Sequence, residues 1–426
     1  MLKSPNQKML NSRKAELEAR LENFRALDFQ LNMARGQPSP EQLDLARSIL
    51  ALPNQDQYHS KDGIDCRNYG GIDGLPEMKQ LFGGILDCPQ KNIIISNNSS
   101  LSMMHDAVMR AYIWGVSENE RPWREQGTIR FLCPSPGYDR HFSISELFGF
   151  EMLPVEMGEM GPNMDQVEAL TRDSSVKGIW CVPRYSNPTG VTYGDSTIKR
   201  LAKMEAASDF RVFWDNAYAE HHLVDHPMHL TNILEACASN NNPDRVLMFA
   251  STSKISFAGS GIAAMGGSLN NITKARSYIS ARTIGPDKIN QLRHLHFFKD
   301  LDGLRSHMKA HARLLKPKFD LVDEILHCEL DGKQIASWSK PKGGYFINLD
   351  VPDGCAREII DLAAELGLIL TPAGSSFPHS LDPKDRNIRI SPTFPELDQI
   401  RQAIEILAVC VELVAIRNQL NHRLDK

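Results

Sequence analysis

The sequence GIWCVPRYSNPTG at residues 178–190 joins a short apolar run to a polar loop, and this arrangement recurs along the chain. Two later segments repeat it, FRVFWDNAY at 210–218 and VLMFASTSK at 246–254, as do two earlier ones, NIIISNNSS at 92–100 and IRFLCPSPGY at 129–138. Short apolar runs that alternate with helix-patterned stretches predict a mostly parallel β-sheet covered by helices. The sequence therefore predicts an α/β domain, with functional side chains in the loops that follow the strands.

The pattern changes after about residue 290, which indicates a second, smaller domain of the α+β type. A long helical stretch at 300–326 leads to strand-like runs at 345–349 and 388–390, and a helical pattern at 395–418 follows. We therefore expect three regions. They are an N-terminal helix and loop at 1–50, a large domain at 51–295 and a small C-terminal domain at 296–426.

The composition is typical of a globular enzyme. The 426 residues are 42% hydrophobic, which is enough for a sizeable core, and 48 basic residues nearly balance 52 acidic ones. We therefore expect neither a nucleic-acid partner nor a membrane partner. The start MLKSPNQKML lacks the apolar segment of a signal peptide, and the eight cysteines are scattered without a CxxC pair. These features predict a cytoplasmic protein without a metal site.

Lys254 and Asp215 are the two residues whose positions most strongly suggest chemistry. Lys254 follows a predicted strand and three hydroxyl residues, and a lysine amine whose pKa is lowered by burial can attack a carbonyl group. Asp215 ends another predicted strand, where a carboxylate can pair with a protonated ring nitrogen. Each residue by itself is more often a solvated lysine or a helix cap, so the combination is what indicates a site for a carbonyl cofactor.

The other polar residues after the strands suit the remaining parts of such a cofactor. Ser99 and Ser100 open a predicted helix, whose free N–H groups can hold a phosphate together with the hydroxyl groups before Lys254. Asn187 and Tyr218 can hydrogen-bond a ring hydroxyl. Tyr138 can stack on the face of a ring.

Seven motifs in a fixed order extend this pattern across most of the chain, from about residue 35 to residue 395. They are NYGGIDGLPEMK at 68–79, SNNSSL at 96–101, PSPGYDRHF at 134–142, SNPTG at 186–190, DNAY at 215–218, STSK at 251–254 and NIRISPTFP at 387–395. In these motifs the chain resembles the fold-type-I aminotransferases that use pyridoxal 5′-phosphate (PLP), within the aspartate aminotransferase superfamily. The resemblance implies a large domain with a mostly parallel sheet of the seven-stranded type that binds PLP.

The resemblance assigns roles to the predicted residues. It implies that Lys254, Asp215 and Tyr218 are catalytic: Lys254 as the Schiff-base lysine and proton shuttle, and Asp215 as the partner of the ring nitrogen. The other implied cofactor contacts are Asn187 and Tyr218 at the ring hydroxyl, Tyr138 on the ring, Ser99, Ser100, Ser251 and Ser253 around the phosphate, and His141 behind Asp215.

The resemblance also implies a homodimer with shared active sites and a set of substrate contacts. Tyr69 would reach the phosphate in the neighbouring subunit. Arg389, with Asn187, would bind the α-carboxylate of an amino acid or a 2-oxo acid, and Gly36 would lie in a loop that covers the substrate. The implied reaction is a ping-pong transfer of an amino group between an amino acid and a 2-oxo acid.

One stretch departs from the family pattern. Most members carry an arginine about eight residues after the lysine, paired with the phosphate, whereas residues 257–262 here contain no basic side chain. Hydroxyl groups, backbone N–H groups or a more distant cation would then hold the phosphate. In this respect the chain is similar to bacterial aspartate aminotransferases related to the catalytic domain of MocR-type proteins.

The substrate is predicted less directly than the cofactor. Aspartate or glutamate would need a second cation besides Arg389, and the candidates are Arg35, Arg282, Lys288 and Arg293. An aminotransferase for another type of amino acid, a lyase or decarboxylase reaction on the same fold, and an effector-binding regulator remain alternatives. A pseudo-enzyme is disfavoured because Lys254, Asp215 and Arg389 are all present.

Two further motifs have ordinary explanations. The histidine-rich segment at 220–229 contains a proline and favours a polar loop over a metal site. The glycines at 259 and 261 lack the third glycine of a dinucleotide loop, so we expect close backbone packing there. Tyr345, which follows two glycines, is a secondary candidate for the active site.

Overall fold

The computed structural model describes residues 7–117 and 119–424, apart from the side chains of 422–424. Residues 1–6, which contribute to the expectation of no signal peptide, lie outside the described residues. The helices are α1 (Gln7–Arg25), α2 (Pro40–Asp44), α3 (Pro76–Leu86), α4 (Ser100–Trp114), α5 (Asp139–Leu147), α6 (Met164–Leu170), α7 (Asp195–Lys203), α8 (Ile233–Ser239), α9 (Leu269–Arg282), α10 (Lys288–Phe298), α11 (Leu301–Leu330), α12 (Ala356–Glu365) and α13 (Leu397–Leu424).

The strands form one large sheet, one small sheet and one isolated pair. They are β1 (Leu31–Asn32), β2 (Ile93–Ser96), β3 (Arg130–Ser135), β4 (Glu151–Gly158), β5 (Gly161–Pro162), β6 (Val176–Cys181), β7 (Arg211–Asp215), β8 (Val246–Ser251), β9 (Ala263–Gly267), β10 (Ser337–Trp338), β11 (Ile347–Asp350), β12 (Leu368–Ile369) and β13 (Asn387–Ile390). Of the five apolar runs that the sequence predicts as strands, four form the parallel strands β3, β6, β7 and β8, and the fifth forms the antiparallel strand β2.

The large sheet has the strand order β2-β9-β8-β7-β6-β3-β4-β5. The strands from β8 to β4 are parallel, whereas β9 runs antiparallel to both of its neighbours and the two-residue β5 runs antiparallel to β4. This is the mostly parallel α/β sheet that the sequence predicts, with seven main strands. The chain leaves β3 and β6 towards opposite edges of the sheet, and ligands bind at such a switch point in α/β proteins.

Both faces of the central strands β6, β7 and β8 are buried, which explains why these strands are apolar without alternation, whereas the outer strand β4 alternates between buried and exposed residues. One face carries a row of aromatic side chains, in which the ring centroids of Phe131 and Trp180 lie 5.2 Å apart and those of Trp180 and Phe213 lie 4.6 Å apart. The other face packs aliphatic residues such as Ile179 and Val212 against the helices. The strand ends are thereby held on a rigid layer.

The C-terminal region has its own core. The strands β10, β11 and β13 form an antiparallel sheet, and α13 packs against α11, α12 and α1. The Arg13 guanidinium of α1 donates two hydrogen bonds of 2.9 Å to the Glu412 carboxylate of α13. The predicted boundary at 295/296 falls inside α10, and the division into domains remains a prediction. No helix of the described residues is long and apolar enough to cross a membrane.

Candidate active site

A cavity of about 250 Å³ lies at the carboxyl ends of β3, β6, β7 and β8. Nine of the predicted residues line it: Ser99, Ser100, Tyr138, Asn187, Asp215, Tyr218, Ser251, Ser253 and Lys254. These residues come from five separate segments of the chain, so the sheet brings together the loops that the sequence singled out.

Lys254 lies in the turn directly after β8. Its Nζ atom is 5.3 Å from the ring centroid of Tyr218 and 5.8 Å from that of Tyr345. Burial lowers the pKa of the Lys254 amine, and the negative charge of Asp215 opposes this shift. A lowered pKa increases the fraction of neutral amine, which is the form that acts as a nucleophile or a base.

Asp215 ends β7 and is only 2% exposed. Its Oδ2 atom lies 3.0 Å from the Nε2 atom of His141, and its Oδ1 atom accepts a hydrogen bond of 3.1 Å from the backbone N–H of Ala217. The His141 ring stacks on Trp180 with 4.7 Å between ring centroids, and so rests on the aromatic layer of the sheet. The carboxylate therefore has a fixed orientation at the base of the cavity.

The helix start predicted at Ser99 and Ser100 is present as the first turn of α4. Ser99 is the N-cap residue, has a φ of 86° and accepts a hydrogen bond from the backbone N–H of Ser102. The first turn of α4 thus meets the cavity where the hydroxyl groups of Ser251 and Ser253 also line it. Among the described residues that line the cavity, Lys254 is the one cation, in keeping with the missing arginine at 257–262.

Two tyrosines keep their hydroxyl protons in this environment. Burial raises the pKa of Tyr218 well above its usual range, and the nearby Tyr138 and Asp215 raise it further. Burial also raises the pKa of Tyr138, with Asp215 adding to the shift. Both side chains are therefore neutral at physiological pH and can donate a hydrogen bond.

Arg389 is buried next to Asn187, and three of the residues that contact it, Thr371, Asp139 and Phe346, belong to no predicted site. Its Nε and Nη2 atoms donate to Thr371 Oγ1 at 3.3 and 3.2 Å, and its Nη1 atom donates to Asn187 Oδ1 at 3.3 Å. The same Nη1 atom lies 3.5 Å from Asp139 Oδ1, and the guanidinium lies over the Phe346 ring at 4.9 Å. These contacts hold the planar guanidinium next to Asn187, which lines the cavity.

Gly36 packs against the ring of Phe346, which also contacts the Arg389 guanidinium. A Cβ atom at this position would be 2.4 Å from Cζ of Phe346, the ring that supports the guanidinium. Because no side chain fits in that space, glycine is required for the loop to approach the ring.

Tyr69 and the predicted cations do not line the cavity of their own chain. Tyr69 is 81% exposed. Arg282 pairs with Asp106 at 2.8 Å, and Arg293 Nε donates to the Leu52 carbonyl at 2.8 Å. Arg35 is exposed in the loop next to Gly36.

The backbone carbonyl of Lys254 is contacted by two side chains from elsewhere in the chain. The Tyr345 hydroxyl donates to it at 3.4 Å, and His221 Nε2 lies 3.4 Å from it. His222 instead contacts the Tyr185 hydroxyl at 2.7 Å. Tyr345 and His221 thus support the turn that carries Lys254, and no motif in the sequence reveals this contact for His221.

The fold and this arrangement of lysine, aspartate and arginine define an aminotransferase of the fold-type-I class. A family model described as aspartate amino-transferase matches residues 6–423, and the chain belongs to that family. It is 50% identical to a putative aminotransferase from Mycolicibacterium smegmatis over 92% of each chain. It is 43% identical to an aspartate aminotransferase from Corynebacterium glutamicum, over 95% of this chain and 94% of that one.

A solved structure agrees with this assignment. The crystal structure of an aspartate transaminase from Corynebacterium glutamicum is 42% identical in sequence and superposes with a TM-score of 0.95, over 97% of this chain and 98% of that one. The reaction class is therefore amino-group transfer between an amino acid and a 2-oxo acid.

Proposed function

We propose that the cavity binds PLP and that this aminotransferase uses aspartate or glutamate as its amino donor. The observation that carries the proposal is the presence of Lys254, Asp215 and the first turn of α4 around one cavity. The donor set suits PLP: an amine for its aldehyde, a buried carboxylate for its ring nitrogen and an N-terminal helix turn for its phosphate.

Specific side chains would hold each part of the cofactor. Asp215, oriented by His141, would keep a proton on the ring nitrogen, and Asn187 and Tyr218 would donate to the ring oxygen. Tyr138 would cover one ring face. Ser99, Ser100, Ser251 and Ser253 would surround the phosphate, with the positive end of the α4 helix dipole in place of the missing arginine.

The residues of the chain would then divide the reaction between them. When bound, PLP supplies an electron sink for the negative charge that develops at the substrate α-carbon. The neutral amine of Lys254 would remove the α-proton and return a proton on the cofactor side. Arg389 would bind the α-carboxylate through two parallel hydrogen bonds, which orients the α-carbon towards Lys254.

The proposal of aspartate or glutamate rests on a named relative, because Arg389 would bind the α-carboxylate that all amino acids share. The Corynebacterium glutamicum relative carries the name aspartate aminotransferase, and its sequence aligns with almost the whole of this chain. The side chain for a second carboxylate would be Arg35, or a cation of a second copy of the chain. The exposure of Tyr69 supports a homodimer in which this residue reaches the neighbouring cavity.

Two further parts of the proposal concern the organisation and location of the chain. We place the large PLP-binding domain at 51–295 and the small domain at 296–426, with residues 1–50 contributing the helix and the substrate-covering loop. A cytoplasmic location fits the eight cysteines, all of which are free thiols.

A half-reaction experiment tests the proposed substrate. The protein is loaded with PLP, mixed with one amino acid and no acceptor, and the released 2-oxo acid is quantified by mass spectrometry. We expect one equivalent of 2-oxo acid per active site from aspartate or glutamate, and regeneration of the starting form by 2-oxoglutarate. Turnover of alanine or an aromatic amino acid without that of aspartate or glutamate would refute the substrate, and catalytic release of ammonia or CO₂ would refute amino transfer.

A further inference from the structure

The backbone of the loop that carries Tyr69 is hydrogen-bonded to one buried lysine, Lys288. The Nζ atom of Lys288 donates a hydrogen bond of 2.8 Å to the Asn68 carbonyl and one of 2.7 Å to the Gly70 carbonyl. These two carbonyl groups belong to the residues on either side of Tyr69. Lys288 itself is only 4% exposed, whereas the Tyr69 side chain points outward.

The ammonium group of Lys288 forms no ion pair within the part of the chain that the structure describes. A buried charge is costly unless hydrogen bonds compensate it, and the two carbonyl groups of the Tyr69 loop provide that compensation. A lysine on the protein surface would be hydrated by water instead. The two hydrogen bonds of Lys288 therefore link its ammonium group to the loop that carries Tyr69.

The loop fits closely against the residues that precede α10. Gly70 and Gly71 have φ values of 98° and 69°, in the left-handed region that favours glycine. A Cβ atom on Gly285 would lie 2.7 Å from the Gly70 carbonyl oxygen. The glycines of the Tyr69 loop and the glycine before α10 thus allow the two backbone segments to pack closely.

The helix that carries Lys288 is itself firmly anchored. Asn290 Nδ2 donates to the carbonyl groups of Ser260 and Gly261 at 3.0 and 3.2 Å. Gln291 Oε1 accepts a hydrogen bond of 2.8 Å from the backbone N–H of Leu75. Because α10 is fixed by buried polar contacts on both sides, it provides a rigid platform for Lys288.

We propose that Lys288 is the positioning residue for Tyr69 and that it acts on the cofactor site of the second copy of the chain. This inference rests on the proposed function, because it requires bound PLP and a homodimer. Lys288 fixes the backbone on both sides of Tyr69, so that the phenol reaches the neighbouring phosphate with little loss of conformational entropy. Lys288 contributes nothing directly to the cavity of its own chain.

Single variants give the first test, with the dissociation constant of PLP measured by absorbance titration. We expect Lys288→Met and Tyr69→Phe each to weaken PLP binding on the order of 10-fold, while the visible band at saturating PLP is retained because Lys254 is intact. Lys288→Arg keeps donors for the two carbonyl groups and should recover most of the affinity. Lys199→Met, an exposed lysine on α7, is the matched control and should bind PLP like the wild type.

A mixed dimer tests the action across the interface. In a doubly tagged dimer of one Lys254→Ala subunit and one Lys288→Met subunit, only the Lys288→Met cavity keeps its lysine. Its Tyr69 comes from the subunit with intact Lys288, so we expect wild-type PLP affinity. Weak binding in the mixed dimer, or wild-type affinity in the Lys288→Met homodimer, would overturn the proposal.

A second variant covers the case in which Lys288→Met does not fold. Gly285→Ala displaces the Gly70 carbonyl without altering Lys288, and it should show the same weakened binding and the same recovery in a mixed dimer. Unchanged affinity in Gly285→Ala would count against the proposal. A wild-type protein that binds no PLP would instead refute the proposed function on which the inference rests.

Discussion

The Nε2 atom of His141 lies 3.0 Å from the Oδ2 atom of Asp215, and the two residues are 1% and 2% exposed. An imidazole N–H donated to the carboxylate fixes its orientation without neutralising it. We expect His141→Asn to lower kcat about 10- to 100-fold and to leave the PLP band in place. His226→Asn, in the exposed loop after β7, is the control, and an unchanged kcat in His141→Asn would show that the histidine has no positioning role.

The lowered pKa of Lys254 predicts how cofactor capture depends on pH. Only the neutral amine attacks an aldehyde, so the capture rate of the cofactor-free protein should rise with pH to a midpoint below the usual lysine value. Asp215 raises the pKa of this amine, so Asp215→Asn should move the midpoint to lower pH. Stopped-flow absorbance with PLP measures both midpoints. A shift to higher pH in Asp215→Asn would contradict the proposed coupling.

Arg389 is expected to act mainly on substrate binding. Replacement by lysine removes the planar pair of donors, and we expect KM for the amino donor to rise about 10- to 100-fold, with a smaller change in kcat. Thr371→Val removes the acceptor for the Nε and Nη2 atoms of Arg389, and it should raise KM for the amino donor by a smaller factor. Steady-state kinetics with aspartate and glutamate separate the two parameters. A normal KM in Arg389→Lys would exclude the arginine from carboxylate binding.

The buried histidines predict a loss of stability in acid. Burial lowers the pKa of His294 to about 4 and that of His311 to about 3, whereas an unfolded histidine titrates near 6.5. Between these values the unfolded chain binds protons that the folded chain does not, so the free energy of unfolding falls as pH decreases below about 6.5. Each histidine contributes a slope of up to about 1.4 kcal/mol per pH unit.

Urea unfolding midpoints between neutral pH and about pH 4.5 measure this slope. His311→Asn should flatten it, because that variant removes one proton-binding site of the unfolded chain. His226→Asn removes an exposed histidine and should leave the slope unchanged. An equal slope in the His311→Asn variant and the wild type would contradict the assignment.

Local sequence patterns predicted four of the five parallel strands, β3, β6, β7 and β8, and missed β4. In the structure Ser39 caps α2, Pro40 is the first residue of the helix and Gln42 completes a capping box, which is the local pattern that a serine followed by proline favours. The antiparallel β9 was missed because Ala263–Gly267 has no β-branched or aromatic side chain. The strand packs closely against its neighbours, and a Cβ atom on Gly266 would lie 3.2 Å from Met248 Cε.

The candidate site could be predicted where its residues belong to motifs, and not where they meet by tertiary packing. The loops after β6, β7 and β8 contributed Asn187, Asp215 and Lys254 because parallel strand ends converge at one edge of the sheet. Thr371 contacts Arg389 from a segment without a recognisable pattern. Contacts of that kind depend on how the C-terminal sheet packs beside the large one.

The visible absorption spectrum of the purified protein with added PLP tests the central claim most directly. We expect a visible band of lysine-bound PLP in the wild type and its absence in Lys254→Ala. We also expect aspartate or glutamate to bleach the band and a 2-oxo acid to restore it. A wild-type protein that shows no such band after incubation with PLP, or an equal band in Lys254→Ala, would contradict the assignment of the cofactor and of its lysine.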